Sequence, residues 1–412
     1  MNTLIKEEGK LPKDWKWVQL GDACNIIMGQ SPPSTSYNTD GIGLPFFQGK
    51  AEFTDLYPIV EKWCTTPNKI AEPNDILLSV RAPVGTTNIA NQKCCIGRGL
   101  AAIRYENYKY AFYFLRSKQQ ELDSKGTGTT FRAISGETIR ETLFPFPSKT
   151  IQQGIVSKIE ELFSELDKGI ENLRLAQQQL KTYRQSVLKW AFEGRLTNEN
   201  VKESQLPKGW KWLKFGELFS ESPQNGLYKS STDYGSGTPI IRIDGFYDGS
   251  ILDDYEYKRV RLTDEEISRY LISIGDILVN RVNSMPYLGK CGIVKHLKEK
   301  TVFESNIMKV RLDKKIALPE YFTMYLSSKK GITELRKNAK QAVNQASINQ
   351  TDVSNVMVPL PLIKEQHDIV QKIESRLSVA DKMEESITQS LQQAEALRQS
   401  ILKKAFEGRL VN

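Results

Sequence analysis

Two short stretches carry side chains suited to holding a polyanion. Ser124-Lys125-Gly126-Thr127-Gly128-Thr129-Thr130-Phe131-Arg132 is glycine-flexible, hydroxyl-rich and basic, and Arg336-Lys337-Asn338-Ala339-Lys340-Gln341-Ala342-Val343-Asn344-Gln345 mixes cations with amides. Lys, Arg and hydroxyl groups bind phosphate oxygens, whereas Arg, Lys, Asn and Gln also reach base edges in the major groove. The chemistry on offer is the holding of a polyanion, nucleic acid among them. Lys125, Thr127, Thr129 and Arg132 are the candidate DNA contacts of the first stretch, and Lys340, Asn344 and Gln345 those of the second. An ordinary solvated loop is the competing reading of both. Gln48, Lys50 and Arg242 follow Pro-then-apolar runs and form a second tier. Arg81, Asn280 and Arg281 form a third, because an arginine at a strand end is as often a structural ion-pair partner.

Both stretches precede a Pro-x-Pro, and that shared placement belongs to a duplication. Leu11-Pro12-Lys13-Asp14-Trp15-Lys16-Trp17 recurs as Leu206-Pro207-Lys208-Gly209-Trp210-Lys211-Trp212, each followed by an apolar pair and Gly21 or Gly216. Phe144-Pro145-Phe146-Pro147 corresponds to Val358-Pro359-Leu360-Pro361, and residues 155–196 align on 369–410 without a gap, with 22 of 42 pairs identical. The opening repeats at an offset of 195 and the close at 214, so the second copy has gained length in its middle. Similar ends build a common scaffold; dissimilar interiors are free to bind dissimilar ligands. Units of this size are domains, not solenoid repeats.

The repeated ends are helical in pattern. Ile155, Ile159, Leu162, Leu166, Ile170, Leu173, Ala176, Leu180, Tyr183, Val187 and Trp190 make one apolar stripe, and Ile369, Ile373, Leu377, Ala380, Met383, Ile387, Leu391, Ala394, Leu397 and Ile401 make the other. Thr150 with Gln153 fits a capping box, Pro147 and Pro361 bar helix upstream, and Gly194 and Gly408 suit left-handed helix ends. At 1.5 Å per residue each helix is roughly 60 Å long. Helices with so narrow a seam are expected to pair with each other, antiparallel within the chain. Packing of each onto its own domain, or pairing between two chains, are the alternatives. The interiors alternate short β-branched and aromatic runs, such as 75–80 and 276–281, with short helices near Tyr110–Lys118 and Pro319–Ser328.

Hydrophobic residues make up 39% and charged residues 26% of 412, which is enough for folded domains and too many residues for one core. The net charge is +8, and the two helix-patterned segments are nearly neutral, so the excess lies in the interiors. Five cysteines without a Cys-x-x-Cys pair and two histidines give no framework for a metal site or disulfides. With no signal-peptide core at the start and no apolar run long enough for a membrane span, a cytoplasmic protein is expected.

The ordered set of Leu-Pro-x-x-Trp-x-Trp, the Gly-Asp-Ile-Leu run (Asn-Asp-Ile-Leu in the first copy), Pro-x-Pro before a long helix, and Ala-Phe-Glu-Gly-Arg-Leu, occurring twice, resembles the specificity subunits of type I restriction–modification systems over nearly the whole chain. The resemblance implies an α+β fold with two pseudo-symmetric mixed α/β target-recognition domains, residues 1–150 and 197–362, separated by two long antiparallel coiled-coil helices, residues 151–196 and 363–412. It also implies that the two stretches described first lie where the recognition domains approach double-stranded DNA. Each domain would read half of a bipartite site, with helix length setting the spacing. The partners implied are two methyltransferase (modification) subunits and the restriction/translocase subunits. S-adenosylmethionine, ATP and magnesium would belong to those partners, leaving this chain without cofactor, metal or catalytic residue. Ser31-Pro32-Pro33-Ser34 indeed lacks the amide and aromatic of a methylase motif, and neither Gly49-Lys50 nor Gly289-Lys290 completes a phosphate loop. Gly97-Arg98-Gly99 is too short a match for a nucleotide site.

Partner docking is expected on the helices and on the parts duplicated most faithfully: Trp15, Trp17, Phe192, Arg195, Trp210, Trp212, Phe406 and Arg409. The tryptophans could equally staple each domain to its helix. Two other functions compete. A self-sufficient regulator would normally dimerise to read a palindrome, which an internal duplication makes unnecessary. A coiled-coil scaffold without a DNA role would not need the basic excess.

Overall fold

Each Trp-x-Trp opening is drawn into a strand by the Pro-x-Pro segment at the far end of its own repeat. Lys16–Gln19 runs antiparallel to Leu143–Phe146 with Trp17 opposite Pro145, and Lys211–Lys214 to Met357–Leu360 with Trp212 opposite Pro359. Proline is tolerated there because a two-stranded ribbon has outer edges that donate no ladder bond. The computed structural model describes residues 11–128, 132–198, 201, 205–247, 249–252 and 256–411. The chain forms two units, Met1–Arg174 with Thr388–Asn412, and Leu175–Ile387. Each is a mixed α/β body containing the beginning of one long helix and the end of the other.

The first unit holds a four-stranded sheet in the order Asn25–Met28, Leu100–Arg104, Ile76–Ser79, Thr87–Ile89, and a five-stranded sheet built around Leu44–Phe47 and Cys94–Ile96. The second holds a six-stranded sheet in which Ile277–Asn280 lies between Ile307–Val310 and Cys291–Ile293. The central pairing is the same in both. Leu100 faces Ser79, and Ile307 faces Asn280. A buried aspartate starts each central strand and accepts two bonds from one arginine: Asp75 from Arg104 at 2.8 Å each, Asp276 from Arg311 at 2.7 and 2.8 Å. Such two-pronged charged pairs fix geometry as well as contribute energy. The short helices are Tyr108–Ser117 and Pro319–Ser327, and the hydroxyls of Tyr110 and Tyr321 each donate to a Pro-x-Pro carbonyl, Pro145 or Pro359.

The long helices run from Lys149 to Phe192 and from Ile363 to Phe406. The first is capped two residues earlier than the capping box suggested: Ile151 N–H donates to Ser148 Oγ at 3.4 Å, so Ser148 does the work assigned to Thr150. Gly194 and Gly408 do end the helices, with φ of 76° and 71°. A β-carbon on Gly194 would meet Pro207, and one on Gly408 would meet Pro12, each 2.2 Å away, so each helix end abuts a Leu-Pro opening.

Within each unit the helix segments run antiparallel. In the first, Ile155, Ile159 and Phe163 share a core with Ile401, Leu402, Ala405 and Phe406; in the second, Val187, Ala191 and Phe192 share one with Ile369, Val370 and Ile373. The seam differs from the simple stripe at one repeated place. Tyr183 and Leu397 are exposed, as are Trp190 and Met383. The following arginines turn inward instead. Arg184 meets Asp381 at 2.6 Å and Glu384 at 2.9 Å, and the equivalent Arg398 pairs with Asp167. A seam that steps from Leu180 to Arg184 to Val187 leaves Tyr183 on its flank, where an ion pair replaces apolar packing.

Candidate nucleic-acid interface

In the first unit the strand Ile76–Ser79 continues into Val80 and Arg81, whose backbone is held on two sides. Val80 N–H donates to the Gly99 carbonyl at 2.9 Å, and Ile134 N–H donates to the Val80 carbonyl at 3.0 Å. Arg81 and Thr127 both pair with Ala133, and Ala82 N–H donates to the Arg132 carbonyl at 3.0 Å. Arg81, Thr127 and Arg132 therefore leave three adjoining segments, and all are exposed. Arg132 stands 3.6 Å from Asp123, beyond hydrogen-bond length. Lys125 is bound to Glu121 at 2.5 Å; burial pushes that carboxyl up, but Lys118 and Lys125 outweigh it and hold it below its usual range. Thr129 lies outside the described residues.

Gln48 and Lys50 join the same edge. A β-carbon on Gly99 would stand 2.2 Å from the Gln48 carbonyl oxygen, so only glycine lets these chains approach so closely. Both side chains are exposed. Gly97–Leu100 is a tight turn closed by Leu100 N–H to the Gly97 carbonyl at 3.0 Å, with exposed Arg98 at its tip. Its glycines serve this close approach, and Arg98 is a candidate that reading the stretch as a failed nucleotide loop missed. The signal available was an arginine flanked by two glycines between apolar runs.

The second unit repeats this backbone with other side chains. Arg281 N–H donates to the Asn306 carbonyl at 2.8 Å, Ile348 N–H to the Arg281 carbonyl at 2.9 Å, and Ile307 N–H closes the matching turn on Glu304 at 2.9 Å. Val282 and Lys340 both face Ser347, as Arg81 and Thr127 face Ala133. The parallel pairs Phe47–Ile96 and Ile241–Phe303 likewise place Arg242 where the first unit has Gln48. The stretch read as a loop is a β-hairpin, Lys340–Ala342 with Gln345–Ser347, turning at Val343-Asn344. Asn344 has φ of 66°, a left-handed conformation that asparagine tolerates and hairpin turns require. Lys340, Asn344 and Gln345 are exposed.

The other candidates of this unit are engaged or buried within it. Arg242 Nε donates to Glu304 at 3.1 Å. Arg281 is half-buried, burial lowers its pKa, and its Nη1 donates to the Ser305 carbonyl at 2.9 Å. Asn280 is 1% exposed, opposite Ile307 inside the sheet, so its side chain is withdrawn from any ligand on the surface. Among the described residues no cluster of His, Cys, Asp and Glu could hold a metal ion, and no helix is long and apolar enough to cross a membrane.

Both halves of this duplicated frame fall within one family profile, described as "Type I restriction modification DNA specificity domain", which matches residues 12–174 and again 207–393. The chain belongs to that family. Relatives of this type I specificity chain include the EcoKI specificity subunit of Escherichia coli K12, 27% identical over 98% of this chain and 90% of that protein. The StySPI specificity subunit of Salmonella potsdam is 28% identical over the same shares, 98% and 90%. A putative MjaX specificity subunit of Methanocaldococcus jannaschii is 38% identical, but over only 46% of this chain and 45% of that one. In fold the chain is similar to a chain of a solved type I R-M system, with a TM-score of 0.74 at 20% identity, covering 97% of this chain and 100% of the other. It is also similar to the HsdS subunit of Thermoanaerobacter tengcongensis, with a TM-score of 0.60 at 20% identity over 97% and 98%.

The faithfully repeated residues of this specificity chain divide into buried and exposed sets. Phe406 packs edge-on against Tyr110 and Phe114 at 5.3 and 5.4 Å, and Phe192 against Tyr321 and Tyr325 at 5.4 and 5.2 Å, so both are core side chains. Trp210 is buried and donates to Glu365 at 2.9 Å, which also accepts from Thr197 and Asn198 at 2.8 and 2.9 Å. Trp15 and Trp17 are half-buried, and Trp212 is exposed under Lys330, whose Nζ lies 4.1 Å from the ring centre. Arg195 lies 3.4 Å from Glu193, and exposed Arg409 lies 3.2 Å from Glu407. Glu365 escaped sequence reasoning because its counterpart in the first repeat is Ile151, so the duplication did not mark it.

Proposed function

We propose that this chain is the DNA-reading, non-catalytic subunit of a type I restriction–modification complex, with each unit reading one half of a bipartite site. The observation that carries this reading is the duplicated frame: one backbone arrangement present twice, with different exposed side chains leaving it. A single reader would need one copy, and two readers of one palindrome would keep the same side chains.

In the first half Arg132, Thr127 and Arg81 reach the duplex with Gln48 and Lys50 beside them, and Lys125 contacts phosphate. In the second half Lys340, Asn344 and Gln345 reach it from the hairpin, with Arg242 at their flank. The length of the long helices sets the unread spacing. Modification subunits dock on the helices and on the exposed Trp212 face, while Phe192, Phe406 and Trp210 fasten those surfaces to their units. Adenine methylation with S-adenosylmethionine, and ATP- and magnesium-dependent restriction, reside in the partners.

The test is long-read mapping of N6-methyladenine in cells that carry the modification subunit with and without this chain. Loss of one split motif with a methylated adenine in each half supports the reading. An unchanged pattern in cells with an active modification subunit overturns it.

A further inference from the structure

We propose that Arg98 is a base-reading residue of the first unit, and that the half-site read by this unit contains a guanine recognised by Arg98 in the major groove. This rests on the DNA-reading function proposed above. Three features of the turn carry it.

The backbone that presents Arg98 is fixed. Gly97 N–H donates to the Phe47 carbonyl at 2.8 Å, Leu100 N–H closes the turn at 3.0 Å, and Arg98 N–H donates to Ser31 Oγ at 3.2 Å. β-carbons on Gly97 and Gly99 would lie 3.3 Å from Gln48 Cα and 2.2 Å from its carbonyl oxygen. With the backbone already held, binding has only the side chain's own torsions left to order.

The guanidinium is also uncommitted. Among the described residues nothing forms a hydrogen bond or ion pair with the side chain of Arg98 or of Arg81. At the matching place in the second unit, Arg242 is held by Glu304 at 3.1 Å and Arg281 by the Ser305 carbonyl at 2.9 Å. The first unit has Gly97 where the second has Glu304, so it lacks the carboxylate that occupies a guanidinium there.

Third, the neighbours suit a base edge better than a phosphate chain. Arg98 stands between the exposed amide of Gln48 and the exposed Arg81. A planar guanidinium fork free of internal partners matches the O6 and N7 acceptors of guanine, whereas phosphate contact is served as well by a flexible lysine.

The experiment expresses the full chain with its modification subunit in a host without other adenine-N6 methylation and maps the methylated motif for Arg98→Gln and Arg98→Lys. The first unit's half is identified as the half altered by Arg132→Ala. Arg98→Gln should reduce the preference for guanine at one position of that half roughly ten- to hundredfold, leaving the other half unchanged. Arg98→Lys should keep most of the methylation but only part of the preference. A uniform fall at every position, full rescue by lysine, or an unchanged motif would overturn the assignment of Arg98, while the effect of Arg132→Ala would still support two readers. Loss of folding would erase both halves together and lower the melting temperature, which a base-reading role does not predict. A motif indifferent to the whole chain would instead refute the DNA-reading function.

Discussion

At the turn closed by Leu100 the first unit presents Arg98 between two glycines, and at the matching turn closed by Ile307 the second presents Ser305 between Glu304 and Asn306. The backbone hydrogen bonds are the same in kind and nearly the same in length; the side chains have little in common. Arg81 corresponds to Val282, Gln48 to Arg242 and Thr127 to Lys340 in the same comparison. The lesson is that the frame and the chemistry it presents vary separately. Strand register and the turn's backbone hydrogen bonds position the surface in both units, with glycines at the close approach in the first alone, and the outward residues differ on that common frame.

The largest expected effect comes from the helix-end aromatics. Phe406→Ala and Phe192→Ala should each cost about 3–5 kcal/mol, each mainly in its own unit. Hydrogen exchange followed by mass spectrometry will read both; equal loosening of the two units by either change would break the comparison.

The junctions differ next. Glu365→Ala leaves the buried Trp210 without its acceptor, takes one acceptor each from Thr197 and Asn198, and should cost about 1–3 kcal/mol, seen as a lower unfolding midpoint of the second unit. Glu365→Ile with Thr197→Val copies the first unit's Ile151 and Val411 and should recover part of that loss.

Half-site selectivity comes third. Arg132→Ala should alter the methylated sequence in one half only and Gln345→Ala in the other, each worth about 1–3 kcal/mol of discrimination. A change in both halves from one substitution would remove the two-reader scheme.

Alkaline stability separates the units more gently. Burial pushes the thiols of Cys24, Cys94 and Cys95 in the first unit, and Cys291 in the second, up to about 12 from the usual 9.0. A thiol raised on folding stabilises fully below about pH 9, and that contribution is lost as pH climbs towards 12. The raised tyrosines, Tyr105, Tyr110 and Tyr113 against Tyr234, Tyr321 and Tyr325, are evenly divided. The first unit should therefore open first above pH 9, measured by alkylation of Cys94 against Cys291 relative to urea-unfolded controls at each pH. Smallest is Lys125→Ala: already engaged by Glu121, it should weaken binding uniformly and lower the salt-dependence slope by about one.

The duplication, the helix-terminating glycines and the central strands were legible because each rests on a local rule applied twice. Gly194 and Gly408 reveal themselves by place, and Ile277–Asn280 by its apolar run after an aspartate. The hairpin at Lys340–Ser347 was not legible as strand, since Lys340–Ala342 is wholly exposed and carries no alternation; only Asn344 hinted at the turn. Arg184 and Arg398 at the seam were hidden by the apolar residue preceding each. Asn280 and Arg281 looked available because chain position does not tell which face of a strand end is covered.

The second unit is one uninterrupted stretch, Leu175–Ile387, whereas the first is assembled from both remaining ends of the chain. Its two boundaries fall inside the long helices, at nearly the same place in each repeat. A recombination event with its crossovers at those boundaries would therefore exchange the whole second unit as a cassette, cutting through neither of the two main hydrophobic cores. On the two-reader proposal, heredity can thus revise half of what such a protein reads in a single step, leaving the other half as it was.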